Sequence, residues 1–165
     1  YDLQVMSLTS YRAAPPRGLR SFISKKKIYK ILFKIIKYMR KKRILVDMSA
    51  TIIHHGHIRL LKKAKKLGYV IVALTSDEYI LKGKGFKTPF NFKQRKEVLN
   101  SINYVDEVIK SPWYITDDFL KKNKIDFLVH GNDNMNKVKK SKLKIYKRTK
   151  GISSSLIRKS LIKDI

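Results

Sequence analysis

The chain has 165 residues, room for one compact domain of about 100–150 residues plus an appendage. Its 39 lysines and arginines against 12 acids give a formal charge of +27, and a hydrophobic share of 43% excludes a wholly disordered chain. The lack of cysteine excludes disulfide scaffolds, thiolate-bound zinc, iron–sulfur clusters and thiol nucleophiles. No apolar run approaches the ~20 residues of a membrane-spanning helix, since Ile28 to Met39 is interrupted by Lys30, Lys34 and Lys37. The start at Tyr1 reads as a fragment, a processed product or a trimmed chain.

Acid placement divides the chain. No Asp or Glu lies between Asp2 and Asp47, and residues 1–43 carry 13 Lys and Arg against one acid. Residues 1–41 are therefore expected to be a basic N-terminal extension, and 42–165 the folded domain. Ile28, Ile31, Leu32, Ile35, Ile36 and Met39 follow helical spacing, with lysines on the opposite face. Such a helix fits an anionic membrane surface, a packing or linker role, or a targeting-type segment outside the fold.

From Arg43 the pattern becomes regular. Strands are expected at 43–47, 69–74, 105–109, 126–129 and 143–146. Helices are expected at 57–67, 93–102, 117–122 with Asp117 as its cap, and 153–162. This alternation implies an α/β fold with a parallel sheet and right-handed crossovers. Ligands of such sheets bind beyond the carboxyl ends of the strands.

All four histidines fall at such ends. His54, His55 and His57 share the turn after the first strand, and His130 follows the fourth. Gly56 lets a ligand approach the backbone, and a helix start at His57 favours an anion. The turn is neither a Walker A loop nor a dinucleotide GxGxxG, and Gly83-Lys84-Gly85 opens no clear helix. His54 and His57, three apart, leave zinc open in principle, but no dedicated third ligand and no HExxH helix accompany them. A second constellation runs from Lys147 through Arg148, Thr149, Lys150, Gly151 and Ile152 to Ser153, Ser154 and Ser155. Amides and hydroxyls at that helix start form an anion cradle, and Arg148 can clamp phosphate oxygens. Read alone, this stretch has a second reading, a helix cap beside a lysine-rich loop. His130-Gly131-Asn132-Asp133 adds a polar turn leaving a buried strand.

Together these residues resemble the cytidylyltransferase family of the HxGH nucleotidylyltransferase superfamily. His54-His55-Gly56-His57 matches HxGH, and Arg148 to Ser155 match the RTEGISTT-type signature. The resemblance covers about residues 42–161. It is closest to the choline-phosphate, ethanolamine-phosphate and glycerol-3-phosphate enzymes, through Val105 to Ile109, Pro112-Trp113 and Ile125 to Asp133. His130 to Asp133 with Lys147-Arg148-Thr149 is particularly similar to the ethanolamine-phosphate branch.

The resemblance implies a Rossmann-like sheet with helices on both faces. It also implies transfer of CMP from CTP to a phosphorylated alcohol, with pyrophosphate leaving, in phospholipid or cell-envelope precursor synthesis. His54 and His57 would stabilise the α-phosphate region, with Arg148 at the triphosphate. Ser49, Ala50, His55, Gly56, Asp133, Thr149, Gly151, Ile152 and the three serines would line the nucleotide. A catalytic lysine is expected in the loop after the second strand, Lys84 or alternatively Lys82. Mg²⁺ would arrive with CTP.

Two departures narrow the acceptor. Thr51 stands where choline-type enzymes carry an acid that helps hold a cationic headgroup. The segment from Asp133 to Arg148 offers no tyrosine placed to complete an aromatic cage, which leaves Trp113 to face an ammonium. A primary amine, a polyol phosphate or a phosphonate is expected over choline. The implied partners are CTP, a small phosphoalcohol and a second copy of the chain. The implied location is cytoplasmic, with peripheral membrane contact through residues 25–42. Rival readings are an ATP-using adenylyltransferase with the same turn and a basic nucleic-acid-binding protein. The signature residues oppose the first, and the lack of a recognition motif opposes the second.

Overall fold

Ile44-Leu45-Val46 and Val70 to Leu74 carry no polar face, so each strand must be covered on both sides. The computed structural model describes residues 26–32 and 40–163, and the chain divides into units Tyr1–Arg40 and Lys41–Ile165. In the first unit, residues 26–32 are helical and exposed, and 33–39 of the expected amphipathic helix lie outside the described residues.

The second unit is built on five strands: β1 (Arg43–Met48), β2 (Tyr69–Thr75), β3 (Glu107–Ser111), β4 (Phe127–Gly131) and β5 (Leu143–Tyr146). All pair in parallel in the order β3-β2-β1-β4-β5. Val46 lies between Val72 and Val129, so β1 is central and the strand order reverses beside it. The expected α/β class is thus the observed one.

The helices are α1 (His55–Lys65), α2 (Asp77–Lys84), α3 (Phe92–Asn100), α4 (Asp117–Lys122) and α5 (Ser154–Lys163), with a 3₁₀ turn at Lys140–Lys142. Alternate β1 side chains enter opposite cores. Ile44, Val46 and Met48 pack with Leu61 and Ala64 of α1 and Leu99 of α3. Leu45 packs with Ile71, Leu128 and Leu120 of α4 on the other face. Truncating one of these fully buried side chains to alanine costs ~2–5 kcal/mol.

Three expectations need correction. Gly83-Lys84-Gly85 is not a free loop: α2 runs to Lys84 and ends on Gly85 at φ 73°, where glycine suits the left-handed cap. The glycines mask this helix in the sequence, yet Ser76 caps it and Asp77 and Glu78 stand in its first turn. Thr116, not Asp117, caps α4, its hydroxyl accepting the Phe119 N–H at 3.3 Å. Finally, α1 starts at His55 rather than His57, because His54 is its cap.

Candidate active site

A cavity of about 1020 Å³ opens at the carboxyl ends of β1 and β4, where the strand order reverses. Its first wall is the β1–α1 turn. Ala50 is held at φ 49°, a left-handed conformation that costs a non-glycine residue ~1–3 kcal/mol. Buried Arg95 secures this turn. Its guanidinium donates to the Ser49 carbonyl, to the Thr75 carbonyl at 2.9 Å and to Asp77 Oδ1 at 2.5 Å. Burial opposes ionisation of Asp77, but the Arg95 and Phe92 hydrogen bonds hold its carboxyl below the usual range.

The two signature histidines are fixed by the backbone. His54 Nδ1 accepts the Gly56 N–H at 3.1 Å, and His57 Nδ1 accepts the His54 N–H at 3.3 Å. An accepting Nδ1 leaves the proton of a neutral imidazole on Nε2. Both rings therefore offer an N–H donor, with centroids 4.0 Å apart. A side chain at position 56 would lie 2.9 Å from the His54 ring, so Gly56 is what permits this fold-back. Burial, His54, Arg148 and Lys84 lower the pKa of His57 to about 4, and burial, His55 and Arg148 lower that of His54. At neutral pH the pair is a set of uncharged donors.

Lys84, from the end of α2 rather than from a loop, reaches this wall and donates to Ser49 Oγ at 2.8 Å. Burial, Arg158 and Arg95 depress its pKa. Lys82 is exposed and does not line the cavity.

The opposite wall carries Arg148, Thr149, Ile152 and the three serines. Arg148 donates to Asp133 Oδ2 at 2.9 Å. The serine hydroxyls are partly committed. Ser153 Oγ accepts the Leu156 N–H at 3.1 Å, and Ser154 Oγ donates to the Ile52 carbonyl at 2.9 Å, tying α5 to the β1–α1 turn. Gly151 and the exposed His55 do not line the cavity, so three of the four histidines reach it.

The far end differs in chemistry. Asp47 Oδ2 accepts from Asn136 Nδ2 at 2.9 Å, while its buried Oδ1 has no hydrogen-bond partner and lies 3.5 Å from His130 Nε2. Desolvation raises the Asp47 pKa against the opposing pull of His130. Trp113 and Tyr114 line the same cavity with ring centroids 6.3 Å apart. Tyr146 lines it too, with Lys63 Nζ 5.1 Å from its ring centroid. Thr51 is buried and accepts from Arg158 Nη1 at 3.1 Å. The cavity holds a second acid besides Asp133, Asp47, which the sequence reading used only as a strand end. Its position at the carboxyl end of a buried strand was the available signal. Asn136 and Arg158 carry no local motif and were missed.

Residues 45–160 match the family described as cytidylyltransferase-like. Choline-phosphate cytidylyltransferase 2 of Arabidopsis thaliana is 38% identical over 141 residues, covering 76% of this chain and 46% of the relative. Glycerol-3-phosphate cytidylyltransferase of Staphylococcus aureus is 39% identical over 127 residues, covering 73% and 95%. Ethanolamine-phosphate cytidylyltransferase of Arabidopsis thaliana is 32% identical over 140 residues, covering 74% and 33%. The chain thus spans less than half the length of the choline- and ethanolamine-phosphate relatives and nearly all of the glycerol-3-phosphate one. The lipopolysaccharide core biosynthesis protein of Thermoplasma volcanium GSS1 shares the fold, with a TM-score of 0.51 at 20% identity over 74% of this chain and 88% of that one. With the motif, the fold and these relatives in agreement, the chain belongs to the cytidylyltransferase-like family.

Proposed function

We propose that this chain transfers CMP from CTP to a phosphorylated aminoalcohol and releases pyrophosphate. One observation carries the reading: a single cavity is lined by two uncharged histidine donors and by the Asp47 carboxylate, and Trp113 and Tyr114 line it as well. The donors suit a phosphate in transit, and the acid with its aromatic wall suits an ammonium.

An oxygen of the acceptor's phosphate attacks the α-phosphorus of CTP. That P–O bond forms as the α–β bridging bond breaks, and the electron pair leaves with pyrophosphate. No protein nucleophile is required. His54 Nε2–H and His57 Nε2–H donate to the oxygens of the α-phosphate, and Lys84 and Arg148 supply positive charge. Ser49, Ala50, Gly56, Thr149 and Ile152 shape the nucleotide end.

Mg²⁺ enters as part of the CTP substrate. Among the described residues no group of three or more His, Asp and Glu could hold a metal. Of the two acids at the cavity, Asp133 is engaged by Arg148 and Asp47 by Asn136. Phosphate oxygens and water would hold the ion.

The Asp47 carboxylate selects the acceptor. A primary ammonium donates an N–H to it, whereas a quaternary choline nitrogen has none to give. Ethanolamine phosphate is the favoured acceptor, and 2-aminoethylphosphonate shares its chemistry. Asp47 thereby fills the place that Thr51 was expected to leave empty.

Two partner readings rest on less. A homodimer follows from the family resemblance and is tested by light scattering. Membrane contact through residues 25–42 is supported by Ile28 and Leu32, 44% and 47% exposed on a lysine-rich helix, and is tested by sedimentation with anionic vesicles. Among the described residues no helix is long and apolar enough to cross a membrane.

The deciding assay follows pyrophosphate release from CTP and Mg²⁺. It uses ethanolamine phosphate, choline phosphate, glycerol 3-phosphate and 2-aminoethylphosphonate, with ATP in parallel. Release with CTP and ethanolamine phosphate, abolished in His57→Ala, is the expected result. Turnover of ATP alone, or failure to bind CTP, refutes the reading.

A further inference from the structure

From His55 to Lys65 α1 carries no acid, and its outer side is a row of cations. Arg59, Lys62, Lys63 and Lys66 follow one another at intervals of three, one and three residues, so they share one side of the helix. All four are exposed, and all four line the catalytic cavity. The cavity therefore extends along α1 from His57 to Lys66, which is about 13 Å of helix.

The helix dipole favours cations in the last turn, and that accounts for part of the row. It does not account for Arg59 in the second turn, nor for Lys147, which lines the same cavity just after β5. None of the ion pairs among the described residues involves the four side chains. Lys63 has its Nζ 5.1 Å from the Tyr146 ring centroid, a contact that leaves its charge uncancelled. Beyond the row, Lys66 also lines a second cavity of about 280 Å³ with Lys41, Lys42 and Lys65. The one acid there, Asp106, accepts from Lys65 Nζ at 2.5 Å.

The reaction above uses none of these side chains at the α-phosphorus. Both substrates and the leaving pyrophosphate nevertheless carry phosphate charge across the mouth of the cavity. Cations along one wall of a cleft focus the field into it and raise the local concentration of anions. Neighbouring cations on one side of a helix also repel one another, and an anion moving along them relieves that repulsion.

We propose that Arg59, Lys62, Lys63 and Lys66 form a capture strip, which draws the triphosphate of CTP onto α1 and delivers it to the histidine wall. The inference rests on the reading that this cavity takes CTP. The strip acts through charge at a distance, so it speeds arrival and leaves the chemical step alone. Its effect fades as the screening length falls from about 30 Å at 0.01 M salt to about 3 Å at 1 M.

The test uses the full chain and the variant Arg59→Gln/Lys62→Gln/Lys63→Gln/Lys66→Gln. These positions are exposed and Gln is a good helix former, so the fold is kept. A control, Lys93→Gln/Lys96→Gln/Lys121→Gln/Lys122→Gln, removes the same charge from exposed positions outside the cavity. Stopped-flow mixing with a CTP analogue carrying a fluorophore on its ribose reads the association rate, and pyrophosphate release reads kcat. The strip variant should associate about 10-fold more slowly at 0.01 M salt and within about twofold of wild type at 1 M. Its kcat should stay within about twofold. The control should match wild type in both, as should Lys62→Arg/Lys63→Arg/Lys66→Arg, which keeps the charge. Equal slowing in the control assigns the effect to net charge and overturns the proposal. So does unchanged association in the strip variant, or a loss that persists at 1 M salt and marks a direct ligand. Should the fourfold variant fail to fold, Lys62→Gln/Lys63→Gln decides by the same salt dependence. A chain that binds the analogue with this salt dependence but turns over no CTP refutes the reaction and upholds the strip. One that binds no nucleotide overturns both.

Discussion

His57→Asn separates the chemistry of the histidine turn from its folding role. The asparagine oxygen can take the place of Nδ1 in accepting the His54 N–H, but it carries no titratable group and no donor at the Nε2 position. The folded-state pKa of His57 is lowered from 6.5 to about 4, with burial as the largest cause. Between those values the unfolded chain binds the proton and the folded chain does not. Stability therefore rises with pH across this window and falls as pH drops through it. The whole gap is worth about 3 kcal/mol, and about 2 kcal/mol of it is lost between pH 7 and about pH 5. Urea unfolding of both proteins at the two pH values, followed by the fluorescence of the sole tryptophan, Trp113, reads this term as a difference of differences. The carboxylates with depressed pKa, Asp77 and Asp106, add stability that is lost only as pH falls below about 4, and they cancel between the two proteins. Wild type should lose about 2 kcal/mol more than His57→Asn. At neutral pH the same variant should lose about 10²–10³ in kcat, because the Nε2 donor is gone. Equal acid sensitivity in the two proteins would refute the neutral, buried histidine. Unchanged kcat would refute its donor role.

Three further perturbations address other walls of the site. Asp47→Asn should raise the KM for ethanolamine phosphate about 10–100-fold, with little change in the KM for CTP, in steady-state assays varying each substrate. A matching rise in both would show that Asp47 supports the whole cavity rather than the acceptor. In Gly83→Ala, a Cβ would fall 2.3 Å from the Trp113 ring, so the indole must shift. Acceptor KM should then rise and Trp113 emission change, while CTP binding by calorimetry holds. Arg95→Ala should destabilise the fold by ~3–5 kcal/mol in chemical denaturation, because the Ser49 and Thr75 carbonyls and Asp77 lose their partner. Retained stability would mean that the strained turn at Ala50 needs no support from α3.

The Asp47 end of the cavity shows why a site can be half visible in a sequence. The histidine wall is local: His54, Gly56 and His57 lie within four residues, and their hydrogen bonds close within one turn. Such a constellation is readable because its geometry follows from spacing. Other contacts at the cavity are not local. Asn136 reaches Asp47 across 89 positions, and Arg158 reaches Thr51 across 107. No periodicity links such pairs. The partner of Thr51 is hidden for the same reason. Its hydroxyl is turned onto a residue of the last helix, which sequence distance conceals.

Lysine choice follows the same division. Lys82 and Lys84 sit two apart and are equivalent by composition. The α2 helix separates them by placing only Lys84 at the cavity, and the helix itself was hidden by Gly83 and Gly85. Helix propensity argued against those glycines, yet the indole of Trp113 occupies the space that a side chain at 83 would need.

By itself the sequence determined the α/β class, the five strands within a residue or two, and the histidine and Arg148 walls of the cavity. Buried parallel strands must be continuously apolar, and phosphate-facing turns draw on few residue types. Tertiary structure alone decided which cations share the cavity, that Asp47 supplies an acid with an unpartnered oxygen, and that Thr51 orients Arg158. Those facts depend on side chains from β1, α2, α5 and the segment after β4 meeting at one end of the sheet. Strand order and packing, which no short window of sequence contains, bring them there.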